Sequence, residues 1–560
     1  MSTDEGERSQ RFPRYDGEDT RVTTRKELMG WYAYGVGAEV FAVCGVGSFL
    51  PVLLEQLARE RGVLWSDKTT PCVAKVGPGN SRGSNALMAA LVARASAGKE
   101  SQCVINLFGS EITTTSFAMY TFSIAVLVQA LALISFSSVA DHGPYRKRFL
   151  LCFGFTGAVT SMLFLLVTPR VYLLGAILLI IGVTCLGSSF NLLNSFLPLL
   201  VSNHPLIRGR RSSDIALEAM ASTAHDANLA EYDEGESHPM TASSELQLSA
   251  KISSKGAGTG YMAAVFVQCL SIGLLFALSK ASLPSTSPTL PLRIVLFFVG
   301  AWWLAFTIPT ALWLRPRPGP ALPTSTTQHA NLARSALSHL LFAWSSLFQT
   351  LKLALQLRQA LLFLAAWFLL SDGIATISST AILFARTELH LSTIATAALS
   401  ITSTASAVAG ALAWPRLQHR LSLPSTTLLV LCLALMELIP LYGLLGFLPA
   451  VRRAGVGGLQ QPWEIFPLAL VHGLAMAGLS SYCRAVFGVL VPPGAEAAFF
   501  ALYAVTDKGS SAVGPAVVGR IVDAAGTIRP AFGFLAVLVA APGPLVWALD
   551  VERGRADALR

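Results

Sequence analysis

The chain has 560 residues, 53% of them apolar and only 13% charged, with a mean hydropathy of +0.57; a soluble globular protein carries about a quarter charged residues. That deficit argues against a string of soluble domains and for a polytopic membrane protein. The net charge of +9 is strung along polar breaks, without a basic cluster interleaved with aromatics, so nothing points to an RNA or DNA partner.

Residues 1–29 read as a cytoplasmic tail, polar and charged through Glu27 and without the pattern of a cleavable signal. The first span then has to direct insertion itself. Apolar runs of about 20 residues, the length that crosses the hydrocarbon core, predict twelve helices near 30–54, 114–139, 149–168, 171–200, 257–279, 292–314, 361–384, 393–414, 425–447, 465–490, 497–519 and 530–549. They lack the strict alternation, over about ten residues, of membrane β-strands.

The first loop, 58–113, is long and holds Cys72 and Cys103, whereas the other six cysteines fall within spans as small apolar residues. In an oxidising lumen Cys72 and Cys103 can form a disulfide, worth about 3 kcal/mol in the chain-entropy account; two free thiols are the alternative. Between the second and third spans lies Asp141-His-Gly143-Pro-Tyr-Arg146-Lys147-Arg148. A tight, basic, glycine-bearing turn with one acid, wedged between two spans, reads as a cytoplasmic hinge. It resembles the Asp-x-x-Gly-x-Arg-Lys/Arg loop of the major facilitator superfamily, which makes Asp141, Gly143, Arg146 and Lys147 the candidate gating residues.

Residues 30–201 thus hold helices one to four. A polar segment, 202–255, follows, and its acidic run Glu231-Tyr-Asp233-Glu234-Gly-Glu236 predicts a disordered cytoplasmic linker. Lys255-Gly-Ala-Gly258-Thr-Gly260 follows no strand, so it reads as close helix packing at the start of the fifth span, not a phosphate loop. Helices five and six occupy 256–314. A second cytoplasmic linker, 315–360, opens with Arg315-Pro-Arg-Pro-Gly-Pro and continues as an amphipathic surface helix over 332–357, anchored by Arg334, His339, Lys352 and Arg358. Residues 361–549 carry the second set of six helices, and 550–560 form the C-terminal tail. Most of the 41 Lys and Arg fall on the side of the termini once the long first loop is set aside, which places both termini in the cytosol. Glu39 and Glu55 in the first half match Asp372 and Glu388 in the second, at the same separation. With the central linker, this predicts an all-α membrane protein of twelve transmembrane helices in two six-helix bundles, related as parallel repeats in the major facilitator manner.

Ionisable groups inside spans cost roughly 2.5–3.5 kcal/mol each on insertion scales, so they face a cavity or a partner. Glu39, Asp372, Glu437, His472, Asp507 and Lys508 qualify. Glu39 and Asp372 form the best pair, on pseudo-equivalent spans, and are the candidate proton carriers; Glu437 lies on a peripheral span and reads as structural. Asp507 and Lys508 are about 100° apart on their helix and should not share a face. Lys508 then receives a substrate carboxylate or neutralises Asp372. Tyr34, Asn191, Asn194 and Gln268 complete the candidate chamber, although such amides equally hold helices together. Gly514-Pro515 predicts a kink in the eleventh span. No nucleophilic elbow, Cys-x-x-Cys or His-Glu-x-x-His pattern is present, so neither catalysis, a metal nor a cofactor is expected.

Longer stretches carry a more specific resemblance. Glu27-Leu-Met-Gly-Trp31-Tyr-Ala-Tyr34-Gly-Val-Gly-Ala-Glu39, Trp65-Ser-Asp67-Lys-Thr-Thr-Pro71-Cys72, Ser116-Phe-Ala-Met-Tyr120 and Phe499-Phe-Ala-Leu-Tyr503-Ala-Val-Thr-Asp507-Lys508 resemble the fungal autophagy-related protein 22 family. The resemblance runs from about 25 to 550, outside the two linkers. It implies a vacuolar membrane protein that exports neutral amino acids such as leucine, isoleucine and tyrosine during autophagic recycling, with a proton as a candidate co-substrate. By analogy of size it implies a monomer. A proton-coupled exporter of other organic solutes, or a non-transporting scaffold or sensor acting through 202–255, stay open as alternatives.

Overall fold

A backbone amide in hydrocarbon finds no water, so an apolar run crosses as a helix that satisfies its own hydrogen bonds. The computed structural model describes residues 15, 17–64, 69–72, 103–107, 109–209, 239–280, 289–320, 344–345, 348–389, 391, 393–510, 513–525 and 527–559. The first bundle opens with α1 (Arg25–Val40), which runs through a π-helical stretch, Phe41–Phe49, into α2 (Leu50–Arg59). The long first loop contributes a three-stranded antiparallel sheet, β1 (Val63–Leu64), β2 (Cys103–Leu107) and β3 (Ser110–Thr113), in the order β1-β2-β3. Then come α3 (Thr114–Ala140), α4 (Tyr145–Leu163), α5 (Tyr172–Ser202), α6 (Pro239–Lys280) and α7 (Leu290–Trp313).

The second bundle comprises α8 (Arg358–Thr387), α9 (Thr393–Leu421), α10 (Ser425–Leu445), a short α11 (Pro449–Ala454), α12 (Ile465–Leu490), α13 (Glu496–Ser510), α14 (Val513–Ala525), α15 (Ala531–Ala540) and α16 (Gly543–Trp547). A terminal helix, α17 (Val551–Leu559), follows. Among the described residues, nine helical stretches are long and apolar enough to cross a membrane. Helix α9 takes the place of the eighth predicted span, α13 and α14 together cover the eleventh and α15 with α16 the twelfth, and the chain bends by 64° from Ala531–Trp547 into Val551–Leu559.

Each bundle has its own apolar core. Trp31, Phe41 and Trp303 lie in the first, and Phe363, Trp367, Phe384 and Phe487 in the second. Phe41 and Trp303 stack at 5.0 Å. The glycine run at the crossing of α1 and α6 is close packing, as its sequence predicts: a Cβ on Gly256 would come within 2.4 Å of the Trp31 ring. Outward positions such as Leu127, Phe266, Phe276 and Trp547 are exposed, which suits helix surfaces turned to lipid.

One segment departs from the sequence reading. Residues 239–255, expected within a disordered linker, form the start of α6. They are helical because Leu246 and Ala250 bury themselves in the core of the second bundle, while Glu245 pairs with Arg555 of α17 at 2.7 Å. The acidic run at 231–236 lies outside the described residues. Of the amphipathic helix expected at 332–357, residues 344–345 and 348–356 are described and helical, with Phe348, Leu351 and Leu355 exposed; Arg334 and His339 lie outside the described residues.

Candidate functional site

The first amides of a helix lack intrahelical acceptors, and at α13 the hinge supplies one from the other bundle. Asp141 accepts hydrogen bonds from the Ala497 and Ala498 amides at 2.7 and 2.8 Å. Arg146 Nη2 bonds the Asp141 carboxylate at 2.7 Å and that of Glu496 at 2.9 Å. Both Asp141 and Arg146 are only 2% exposed, and Arg146 also lies over the Phe196 ring at 5.8 Å. Burial is the main force on the Asp141 carboxyl. Together with Glu496, which competes for the same guanidinium, it outweighs Arg146 and the two amides and pushes the carboxyl up to about 6.

Gly143 turns the hinge with a φ of +48°, a conformation that suits glycine. Its amide donates to Pro320 O at 3.0 Å and its carbonyl accepts from the Gly319 amide at 2.9 Å, so the second linker is stapled to the hinge. Lys147 Nζ donates to Ala311 O at 2.7 Å. Arg317 forks onto both oxygens of buried Glu27 at 2.9 Å and also donates to Asp19 O and Arg21 O. Tyr15 Oη donates to Pro318 O at 3.1 Å. Burial first, then Glu496, pushes this phenol up to about 12. Tail, hinge, second linker and α17 thus gather at one end of the molecule, and the ion pairs that join the bundles lie there.

Farther into the molecule, a second group of polar side chains lies between the bundles. Lys508 is twelve residues into α13 from Glu496, about 18 Å at 1.5 Å per residue. Its ammonium pairs with Asp507 at 3.0 Å, with side chains 43% and 27% exposed. Ser371 Oγ donates to the Asp507 carboxylate, and Trp367 stacks on Tyr503 at 4.5 Å. Glu39 on α1 rests on Gly260 of α6, where a Cβ would meet Glu39 Cβ at 3.1 Å. Arg484 of α12 lies within electrostatic reach of Glu39, Tyr261 and Tyr503. Tyr261 Oη and Ser480 Oγ, one from each bundle, are 3.3 Å apart.

The structure separates several residues that the sequence grouped. Asp372 is 4% exposed and accepts a hydrogen bond from the Gly514 amide of α14 at 2.9 Å, so its carboxylate is engaged within the second bundle. Asp507 and Lys508 do share a side, contrary to expectation, because the long lysine stem folds back on its neighbour; Lys508 therefore does not neutralise Asp372. Tyr34 is fully buried in the core of the first bundle, against Gly154. Asn191 Nδ2 donates to Ala497 O at 3.3 Å, joining the hinge contact, and Gln268 Nε2 reaches Ser48 Oγ at 3.4 Å within the first bundle. Asn194 Oδ1 is buried without a hydrogen bond among the described residues. His472 bridges Ser378 and Ser403 at 3.1 and 3.0 Å. Glu437 Oε2 is buried and has no bond among the described residues. Cys72 and Cys103 are joined as a disulfide that ties the chain after β1 to β2.

Arg484, Tyr261 and Ser480 escape the sequence reading. Arg484 falls six residues before the end of its span, where it passes for one of the positive charges of the cytoplasmic rim. The signal that would have found it is its position within an apolar run on the same span as His472.

A family profile described as vacuole effluxer Atg22 like matches residues 23–559. The chain is 57% identical over 564 residues to autophagy-related protein 22-1 of Sclerotinia sclerotiorum, covering 98% of this chain and 93% of that one. It is 56% identical to autophagy-related protein 22 of Botryotinia fuckeliana, with the same coverage of 98% and 93%. In shape it resembles the human organic anion transporter MFSD10 (TETRAN), with a TM-score of 0.54 at 14% identity over 93% of this chain and 99% of that one. It also resembles the proton:xylose symporter XylE, with a TM-score of 0.54 at 10% identity over 93% and 94% of the two chains. At such identities these likenesses establish the major facilitator fold of two helix bundles and no more.

Proposed function

The chain belongs to the Atg22-like vacuole effluxer family, and from that premise we propose that it is a vacuolar-membrane carrier exporting neutral amino acids of the leucine, isoleucine and tyrosine type to the cytosol by alternating access. The observation that carries this reading is the buried cluster of Asp141, Arg146 and Glu496, which clasps the two bundles at one end. Behind it lie Glu39, Arg484, Asp507 and Lys508, charges placed within spans where only a chamber or a partner repays their insertion. With the termini in the cytosol, the clasp closes the cytosolic side, and the solute enters from the lumen.

Release then requires the clasp to part. Removing one partner from a buried ion pair costs about 3–5 kcal/mol, so the clasp opens when the loaded form gains comparable interaction in the inward-open state. The glycine-turned hinge and the stapled second linker make its opening a movement of whole bundles. Glu39, which makes no hydrogen bond or ion pair among the described residues, is a better candidate for carrying a proton than Asp372, which is held by Gly514.

Leucine counterflow in liposomes containing the purified chain tests this reading. We expect exchange of leucine and tyrosine above empty liposomes, with pH-dependent flux reduced in Glu39→Gln. Absence of exchange for every neutral amino acid, with the protein shown to be inserted, would defeat it.

A further inference from the structure

Two opposite charges meet between the bundles without touching. Glu39 of α1 packs on Gly260, whose neighbour Tyr261 meets Ser480 of α12 at 3.3 Å, one helical turn before Arg484, and both charged residues are partly accessible. Yet among the described residues neither makes a hydrogen bond or an ion pair. The other arginines buried near the junction are engaged directly, Arg146 with Asp141 and Glu496 and Arg317 with Glu27. In a medium of low polarity, opposite charges held short of contact forgo an attraction that a small bridging group would recover.

We infer that Glu39 and Arg484 form a split clamp for a zwitterionic α-amino acid, with the Arg484 guanidinium binding its carboxylate and the Glu39 carboxylate binding its ammonium. A guanidinium presents paired donors that match a carboxylate bidentately. Lys508 of α13 is already paired with Asp507 at 3.0 Å, which leaves Arg484 for the solute. Tyr261, bonded to Ser480, and Tyr503 lie within reach of the guanidinium and supply aromatic walls. Because the two jaws sit on different bundles, a zwitterion that spans them draws the bundles together, whereas a solute with one charge holds one jaw only. The clamp rests on the amino-acid reading above and names the residues that enforce it.

The test is leucine counterflow with isoamylamine, which lacks the carboxylate, and 4-methylpentanoate, which lacks the amine, as competitors. For the wild type, both should compete at least about thirtyfold more weakly than leucine, the scale for truncating one partner of a charged contact. Arg484→Gln should raise the KM for leucine and abolish the preference for leucine over isoamylamine. Glu39→Gln should abolish the preference over 4-methylpentanoate instead. Arg484→Lys, which keeps the charge, should recover part of the preference. A leucine-induced rise in the melting temperature of purified protein, present in the wild type and lost in Arg484→Gln, separates a binding defect from a folding one. An unchanged KM and undiminished discrimination in Arg484→Gln would overturn the clamp while leaving transport intact. Absence of leucine exchange in the wild type would instead remove the transport reading, and the clamp with it.

Discussion

Asp141 shows what a single side chain does in this molecule. It caps a helix of the opposite bundle and shares one guanidinium with Glu496. Its carboxyl is pushed up to about 6 when the clasp is closed and returns toward the ordinary value of about 3.9 when water reaches it. The closed form therefore holds the proton more tightly. That contribution is complete below the ordinary value and is lost as the pH rises through about 6. Lowering the pH on the clasp side from 7 to 5 should favour closure, as read by the protection of Arg146-side backbone amides from hydrogen exchange. Asp141→Asn should remove this pH dependence, and its persistence would assign the titration elsewhere. The hinge was legible because Asp141, Gly143 and Arg146 stand together in a turn between two apolar runs. The roles of Asp372 and Arg484 were not: the first depends on a backbone amide more than 140 residues away, and the second on a carboxylate of another bundle.

Among the elements, the eleventh span is the most exacting. The Gly514 amide of α14 is bound to Asp372 of α8. A Cβ on Gly514 would meet Thr376 Oγ1 at 1.9 Å and Asp372 Oδ1 at 2.9 Å. Gly514→Ala should therefore destabilise the second bundle by about 1–3 kcal/mol, the usual range for overpacking, and lower its melting temperature. The double variant Gly514→Ala with Thr376→Ser should not recover, since the colliding hydroxyl oxygen remains, whereas Thr376→Ala should relieve the clash. Equal melting for Gly514→Ala and the wild type would refute this packing. The spans were readable because lipid leaves an apolar run little choice but helix. The first turns of α6 were not, because residues 239–255 are largely polar and are held by tertiary contacts, Leu246 and Ala250 in the second core and Ile252 in the first. The small sheet of the first loop likewise depends on pairing between β1 and β2, which the chain separates by a long polar stretch.

At the scale of the whole molecule, the division into halves followed from twelve apolar runs and a central linker, but the state of the carrier did not. That state is decided by contacts between halves: the clasp at one end, the Tyr261–Ser480 contact farther in, and the α6 extension, whose Leu246 and Ala250 lie in the core of the other bundle. The halves are also unequal. The equivalent segment of the second bundle, at the end of α9, carries Arg416, whose guanidinium returns to Leu412 O on its own helix, so among the described residues the clasp is made by the hinge of the first bundle. Weakening that hinge should shift the whole molecule toward the form open on the clasp side. The most direct check is the distance between nitroxides on Leu206→Cys, at the clasp end of the first bundle, and Leu421→Cys, at the clasp end of the second, both at exposed positions, with the exposed thiols Cys152 and Cys269 replaced by serine. We predict a short, narrow distribution in the otherwise unaltered protein and a second, longer population in Asp141→Asn with Arg146→Gln. A single distance, the same with and without those substitutions, would contradict the account.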